Sequence, residues 1–128
     1  MTIIIAGSRS INNYQLVRNT ILDYFKGNMR YVKRIIHGGC SKGVDVLADL
    51  FADEMYECYR ISKRIYLANW DLYGPAAGPI RNSEMVENGD ILFAFWDGKS
   101  KGTADIIHKM QQVRKRVIII NYKSKKRR

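Results

Sequence analysis

Three glycines crowd one lysine in His37-Gly38-Gly39-Cys40-Ser41-Lys42-Gly43-Val44-Asp45. The apolar pair Ile35-Ile36 leads in, and Val44, Leu47, Ala48, Phe51, Ala52 and Met55 follow at helical spacing. A strand that turns through glycines into a helix presents unpaired N–H groups to an anion. The helix start adds partial positive charge, and missing Cβ atoms let a phosphate come close. Lys42 can add a full charge. The chemistry suggested is phosphate cradling by Gly38, Gly39, Lys42 and Gly43; a plain strand-to-helix turn would use the same residues.

Other residues could join that chemistry. Gly7-Ser8-Arg9 closes the first apolar run, and Asp97-Gly98-Lys99-Ser100-Lys101-Gly102-Thr103 closes a later one. A guanidinium grips phosphate through two parallel hydrogen bonds, which singles out Arg9 and Arg81. The competing reading for Arg81 is an ion pair with Glu84, three residues on. Ser8 could hold a phosphate, and Thr103 could do so or cap the helix that Gly102 and Thr103 are expected to open. Asp45 falls in a first helical turn, where a carboxylate either favours the dipole or accepts a ribose hydroxyl. His37, a lone histidine at a strand end, reads as a structural hydrogen-bonding group, and Cys40 has no histidine placed to make it a nucleophile.

Several familiar sites are absent. Gly7-Ser8-Arg9 is not G-x-G-x-x-G, and the glycine that a P-loop needs five positions before Gly98 is Phe93. No H-E-x-x-H, paired-cysteine zinc spacing or G-x-S-x-G elbow occurs. No cofactor and no metal is therefore expected.

The elements that must position these residues follow from periodicity. Residues 2–6 form a β-branched run of the kind buried on both faces in a central parallel strand. Asn12 or Asn13 can cap a helix that turns Leu16, Ile21, Tyr24 and Phe25 inward, with Gly27-Asn28 ending it. Strands are expected at 31–37, 61–67, 91–96 and 117–120. The third carries Lys63 and Arg64 and so belongs nearer an edge. The helix after the glycine loop should reach about Tyr59. Two prolines and two glycines make 69–79 irregular, with Trp70 and Tyr73 as core plugs or a surface for a base. A helix over about 80–87 follows, and another turns Ile106, Ile107, Met110 and Val113 inward. Alternating strands and helices predict one α/β domain over residues 1–122: a Rossmann-like, mainly parallel five-stranded sheet with helices on both faces. Right-handed crossovers bring the loops at Gly7–Arg9, His37–Gly43 and Asp97–Thr103 to one rim, where ligands of such sheets bind.

At 128 residues the chain can bury a real core. No secretory or membrane-spanning apolar run occurs, so no membrane partner and a cytoplasmic location are expected. Two cysteines, Cys40 and Cys58, at no metal spacing fit a reduced compartment. The net charge of +10 favours anionic partners. Part of it is the run Lys123-Ser124-Lys125-Lys126-Arg127-Arg128, read as a solvated basic tail that could touch nucleic acid. The rest is spread over Lys33, Arg34, Arg60, Lys63, Arg64, Lys99, Lys101, Arg114, Lys115 and Arg116.

Four stretches in order carry a resemblance. They are Ile5-Ala6-Gly7-Ser8-Arg9, the loop from His37 to Asp45, Trp70 to Gly74 with Ala77 to Met85, and Phe95 to Thr103. Together they resemble the SLOG superfamily of Smf/DprA and LOG ("lonely guy") proteins, closest to its small YspA/YpsA-like branch. The resemblance spans nearly all of the chain except the tail. It implies a Rossmann-like domain that binds a nucleotide or nucleotide-derived ligand, such as an ADP-ribose derivative. Members include phosphoribohydrolases, binders of single-stranded DNA such as DprA, and proposed nucleotide sensors of bacterial and phage conflict systems. Relatives often self-associate, which implies a homo-oligomer. The hydrolases use an arginine in R-K-x-x-M and a glutamate in P-G-G-x-G-T-x-x-E. Arg81…Met85 matches the first with Asn82 for the lysine, but the glutamate position holds Ile106. Asp105 is one residue early, about 100° away around a helix. This departure argues for binding, as a sensor or sequestering protein. Hydrolysis of a nucleotide N-glycosidic bond, with Arg81 and Asp45, Glu84 or Asp105 as the acid, is the alternative; DprA-like nucleic-acid binding is a second.

Overall fold

The computed structural model describes residues 1–122, so the basic tail lies outside the described residues. Strand β1 (Thr2–Gly7) takes the centre of a five-stranded, all-parallel sheet. Its flanks are β2 (Arg34–His37) and then β3 (Ser62–Ile65) on one side, β4 (Ile91–Trp96) and then β5 (Arg116–Asn121) on the other. A central strand needs apolar residues on both faces, and β1 supplies them alternately. Ile3 and Ile5 pack with Ile35 and Phe93 under α1 (Tyr14–Tyr24) and α2 (Val44–Tyr59). Ile4 and Ala6 pack with Ile36 and Leu92 under α4 (Ala77–Asn88) and α5 (Lys101–Gln112). The lysine and arginine of β3 do mark an edge: all four of its residues are exposed.

Several expectations shift. The span 69–79 is not irregular throughout: Asn69 accepts the Leu72 N–H, capping a short helix α3 (Trp70–Tyr73), and α4 already starts at Ala77. Gly74 caps the end of α3, and Pro79 sits in the first turn of α4, where a proline is tolerated. Residues 31–33 are not strand, because Met29–Tyr31 makes a 3-10 turn capped by Asn28. In α1 the buried pair is Val17 and Ile21, while Tyr24 is exposed. Val113 is exposed because the chain leaves α5 there.

The chain lays β2 and β3 on one side of β1 and then crosses back to place β4 on the other. The carboxyl ends of β1 and β4 thus diverge into loops that run opposite ways, the switch point where open α/β sheets leave a crevice.

Candidate functional site

That crevice exists. The ends of β1 and β4 are tied by the Ser8 N–H donating to Phe95 O (3.0 Å) and the Asp97 N–H donating to Ser8 Oγ (3.0 Å). Ser8 is thereby buried beneath the floor rather than facing ligand space. Above it opens a cleft of about 670 Å³ between Gly7, the amino-terminal turns of α4 and α5, and Trp70. The volume is that of a small-molecule pocket.

Arg81 enters this cleft from the first turns of α4. Its Nη1 donates to Gly38 O (2.6 Å) and Tyr66 O (3.4 Å), and its Nε donates to Asn82 Oδ1 (3.0 Å). Asn82 is buried, and its Nδ2 donates to Gly102 O (3.1 Å) and Asp105 Oδ2 (3.0 Å). The competing ion pair with Glu84 does not form: no ion pair among the described residues includes Arg81. Its charge is aimed by neutral oxygens and left uncompensated by direct contact, a state that favours an incoming anion. Gly38 must be glycine for this grip, since a Cβ there would run into Arg81 Nη1.

The loop expected to cradle phosphate spends much of its hydrogen bonding on the chain itself. The Gly39 N–H donates to His37 Nδ1 (3.0 Å), the Cys40 N–H to Asp45 Oδ2 (3.0 Å), and the Val44 N–H to Ser8 O (3.3 Å). Only Gly38, Cys40 and Asp45 of this stretch line the cleft. Gly39 faces Ile65 and Leu67, Gly43 lies against the backbone of Ser8 and Arg9, and Lys42 is exposed outside the cleft. Burial pushes the Asp45 carboxyl above its ordinary range; the Cys40 N–H and the Arg81 charge oppose this without cancelling it. His37, also buried, accepts at Nδ1, so its proton is on Nε2 and donates to Asp49 (2.9 Å). Asp49 also takes the Lys63 ammonium at 2.8 Å. Its partial burial raises the carboxyl, but the bonds from Lys63 and His37 outweigh that and lower it.

The third loop is closed by Asp97. Its Oδ1 accepts the N–H groups of Lys99 (2.8 Å) and Ser100 (2.9 Å), and its Oδ2 accepts from Ser10 Oγ (3.0 Å). Those backbone donors hold the carboxyl down at about 2. Ser100, not Thr103, caps the last helix by accepting the Thr103 N–H at 3.3 Å, and the helix opens at Lys101. Thr103 is buried with its hydroxyl 3.1 Å from Ser100 Oγ. Gly102 and Thr103 still line the cleft, whereas Gly98, in the left-handed region (φ 82°), shapes the turn outside it. Arg9, Lys99 and Lys101 are exposed cations on its wall. Of the candidate acids, Glu84 is exposed and off the wall, and Asp105 is held by Asn82 and by Lys109 at 3.0 Å. Asp45 remains. Sequence reasoning missed Asp97 and Ser10; an Asx-type turn over Asp97-Gly98-Lys99-Ser100 was the available signal. Trp70 lines the mouth, 53% exposed, with its ring edge near Gly78. No three-residue metal cluster occurs among the described residues, and no helix there is long and apolar enough to cross a membrane.

No family model and no solved structure matches the chain. The Gene 61 protein of Mycobacterium phage D29 is 33% identical to it over 126 residues, covering 96% of this chain and 97% of that protein. The chain belongs to the family of that phage protein. Because the match runs nearly end to end in both, the cleft lies within the length that the two proteins share.

Proposed function

We propose that the protein binds a nucleotide or nucleotide-derived ligand in the switch-point cleft, as a sensor or sequestering protein of the SLOG type. The observation that carries the reading is Arg81, a half-buried guanidinium held by Gly38 O, Tyr66 O and Asn82 and unpaired with any carboxylate among the described residues. A site organised around such a group has already met the cost of orienting its donor. The exposed cations Arg9, Lys99 and Lys101 give a polyphosphate or phosphoribosyl group further partners, and Trp70 offers an aromatic face for a base. Asp45, facing the cleft beside Gly38, is placed to accept a sugar hydroxyl.

A thermal-shift panel of nucleoside phosphates and ADP-ribose derivatives tests this. A ligand at one hundred times its Kd adds about 2.7 kcal/mol, roughly 10 °C for a chain of this size. The gain should vanish in Arg81→Ala. A flat panel in the intact protein overturns the reading.

One observation favours a second reading. Asp45 is a buried carboxyl raised above its ordinary range and sits in the same cleft as Arg81, which suits a general acid for cleaving an N-glycosidic bond. Chromatography of the bound ligand separates the two: recovery intact supports binding, recovery as base and sugar phosphate supports hydrolysis.

A further inference from the structure

The cleft takes up little of the positive charge. Arg9, Arg81, Lys99 and Lys101 on its wall face Asp45, Asp97 and Asp105. The opposite rim is different. In an all-parallel sheet every strand begins at one edge, and the covering helices, which run back, end there. Arg34 opens β2 beside Thr2 and Ser62, and Arg116 opens β5 beside Ile91. Lys33, whose N–H donates to Met1 O (2.8 Å), and Arg30, in the 3-10 turn before β2, extend the row. Arg60 and Arg114 follow the ends of α2 and α5. All six are exposed, and none belongs to an ion pair among the described residues. The carboxylates on this rim are Asp23, Glu57, Glu87 and Asp90, and Asp90 is taken by the Thr2 N–H at 2.7 Å. Lys63 and Arg64 do not add to the row: Lys63 is paired with Asp49 and Asp53, and Arg64, beside Ile36, lies further along β3 toward the other rim.

Two details set this rim apart from an ordinary solvated face. Among the described residues, the three non-glycine positions with positive φ are Lys26, Arg60 and Arg114, each just past a helix end on this rim. Glycine or asparagine is the usual choice there, and a cation is favoured by the helix dipole. Tyrosines stand among the cations. Tyr31, between Arg30 and Lys33, is 66% exposed, and Tyr59, beside Arg60, is 45% exposed. Arg60 itself stacks over Tyr56, 5.0 Å from the ring centre.

We propose that this amino-end rim is a second binding surface, remote from the cleft, for a single-stranded nucleic acid. The cations would track phosphates, and Tyr31 and Tyr59 would stack bases. A duplex keeps its bases stacked inside and would leave the tyrosines unused. The inference does not depend on what occupies the cleft.

Fluorescence anisotropy of the full-length chain with a labelled oligothymidylate of about 20 nucleotides tests it. To remove the contribution of residues 123–128, the five tail cations are replaced by alanine in every protein compared. Affinity should fall linearly with the logarithm of salt. The triple variant Arg30→Ala, Lys33→Ala, Arg116→Ala should flatten that slope by about 2, at about 0.7 per lost phosphate contact. Tyr31→Ala should weaken single-strand binding about tenfold at constant salt slope. Circular dichroism melting confirms that each variant folds, and Arg81→Ala should bind the oligonucleotide as the parent does. No salt-dependent binding once the tail is neutral overturns the proposal. So does a loss caused by Arg81→Ala but not by the rim triple, or equal affinity for duplex with Tyr31→Ala silent.

Discussion

Arg81 Nη1 donates to the carbonyl oxygen of Gly38 across 2.6 Å, and a Cβ on Gly38 would stand in the guanidinium's place. The obstructed group is the far end of a flexible side chain, so Gly38→Ala should be cheap for the fold and costly for the site. The variant should lose no more than about 1 kcal/mol in denaturant melts. Its affinity for any cleft ligand should fall at least about tenfold, the size of one charge-assisted hydrogen bond. A variant that melts like wild type and binds like wild type would show that Arg81 does not touch the ligand.

Gly43 supplies the contrast. Its φ of 75° with ψ of −144° lies in a region that only glycine occupies readily, and a Cβ there would meet the backbone of Ser8 and Arg9. Backbone cannot swing aside as a side chain can. Gly43→Ala should therefore cost the strain, about 1–3 kcal/mol, and a further amount for the collision. Urea unfolding measures it; a loss under about 1 kcal/mol would mean that the loop crossing relaxes freely.

Asn82 joins Arg81 to α5 through bonds to Gly102 O and Asp105 Oδ2, all from a buried side chain. Asn82→Ala strands those partners and should cost about 1–3 kcal/mol. Because it also frees the guanidinium, ligand affinity should fall further than Asp105→Asn makes it fall. Equal effects from the two variants would mean that Asn82 acts on the fold alone.

Much of this architecture was legible beforehand. The uninterrupted run Ile3-Ile4-Ile5 could only be a strand with both faces covered, and it is the centre of the sheet. Lys63 and Arg64 marked the edge strand because a charged residue on each face leaves neither one dry. The same local logic failed at Trp70–Tyr73, where neighbouring prolines and glycines hid a helix that one asparagine caps. It failed again at Tyr31-Val32, whose strand propensity lost to the Asn28-capped turn. The cleft was legible as a meeting of three loops: Gly7, Arg9, Gly38, Asp45, Arg81, Asn82, Gly102 and Thr103 line it, whereas Ser8, Gly39, Lys42, Gly43 and Gly98 do not. What spacing could not reveal is where N–H groups point. Asp45 and Asp97 already occupy donors of the loops that glycine content marked for phosphate. Whether a loop amide is free depends on contacts that close only when the sheet forms.

Asp45 should make stability fall as pH rises. Its carboxyl is raised by burial above its unfolded value, so the folded state favours the protonated form. The stability it contributes is complete below the unfolded value of 3.8 and is lost as pH climbs through the raised folded value. Asp45→Asn keeps an oxygen for the Cys40 N–H and removes the charge, so it should melt higher than wild type at neutral pH and equal to it in acid. A variant less stable at neutral pH would mean that the carboxylate is worth more to Arg81 than its burial costs.

Asp97 should act in the opposite direction. Its carboxyl is lowered to about 2 by the N–H groups of Lys99 and Ser100, with further help from the Ser8 and Ser10 hydroxyls, so the ionised form favours folding. That contribution is present above the unfolded value of 3.8 and disappears as pH falls through about 2. The carboxylate is solvent-accessible, so Asp97→Ala should cost only about 0.5–1 kcal/mol, the low end for a capping side chain. The same change frees two N–H groups at the cleft wall next to Lys99 and Lys101. Inorganic phosphate should then raise the midpoint of Asp97→Ala more than that of wild type at neutral pH. If phosphate stabilises wild type and variant alike, the Asp97 carboxylate does not occupy an anion site, and this loop takes no part in ligand binding.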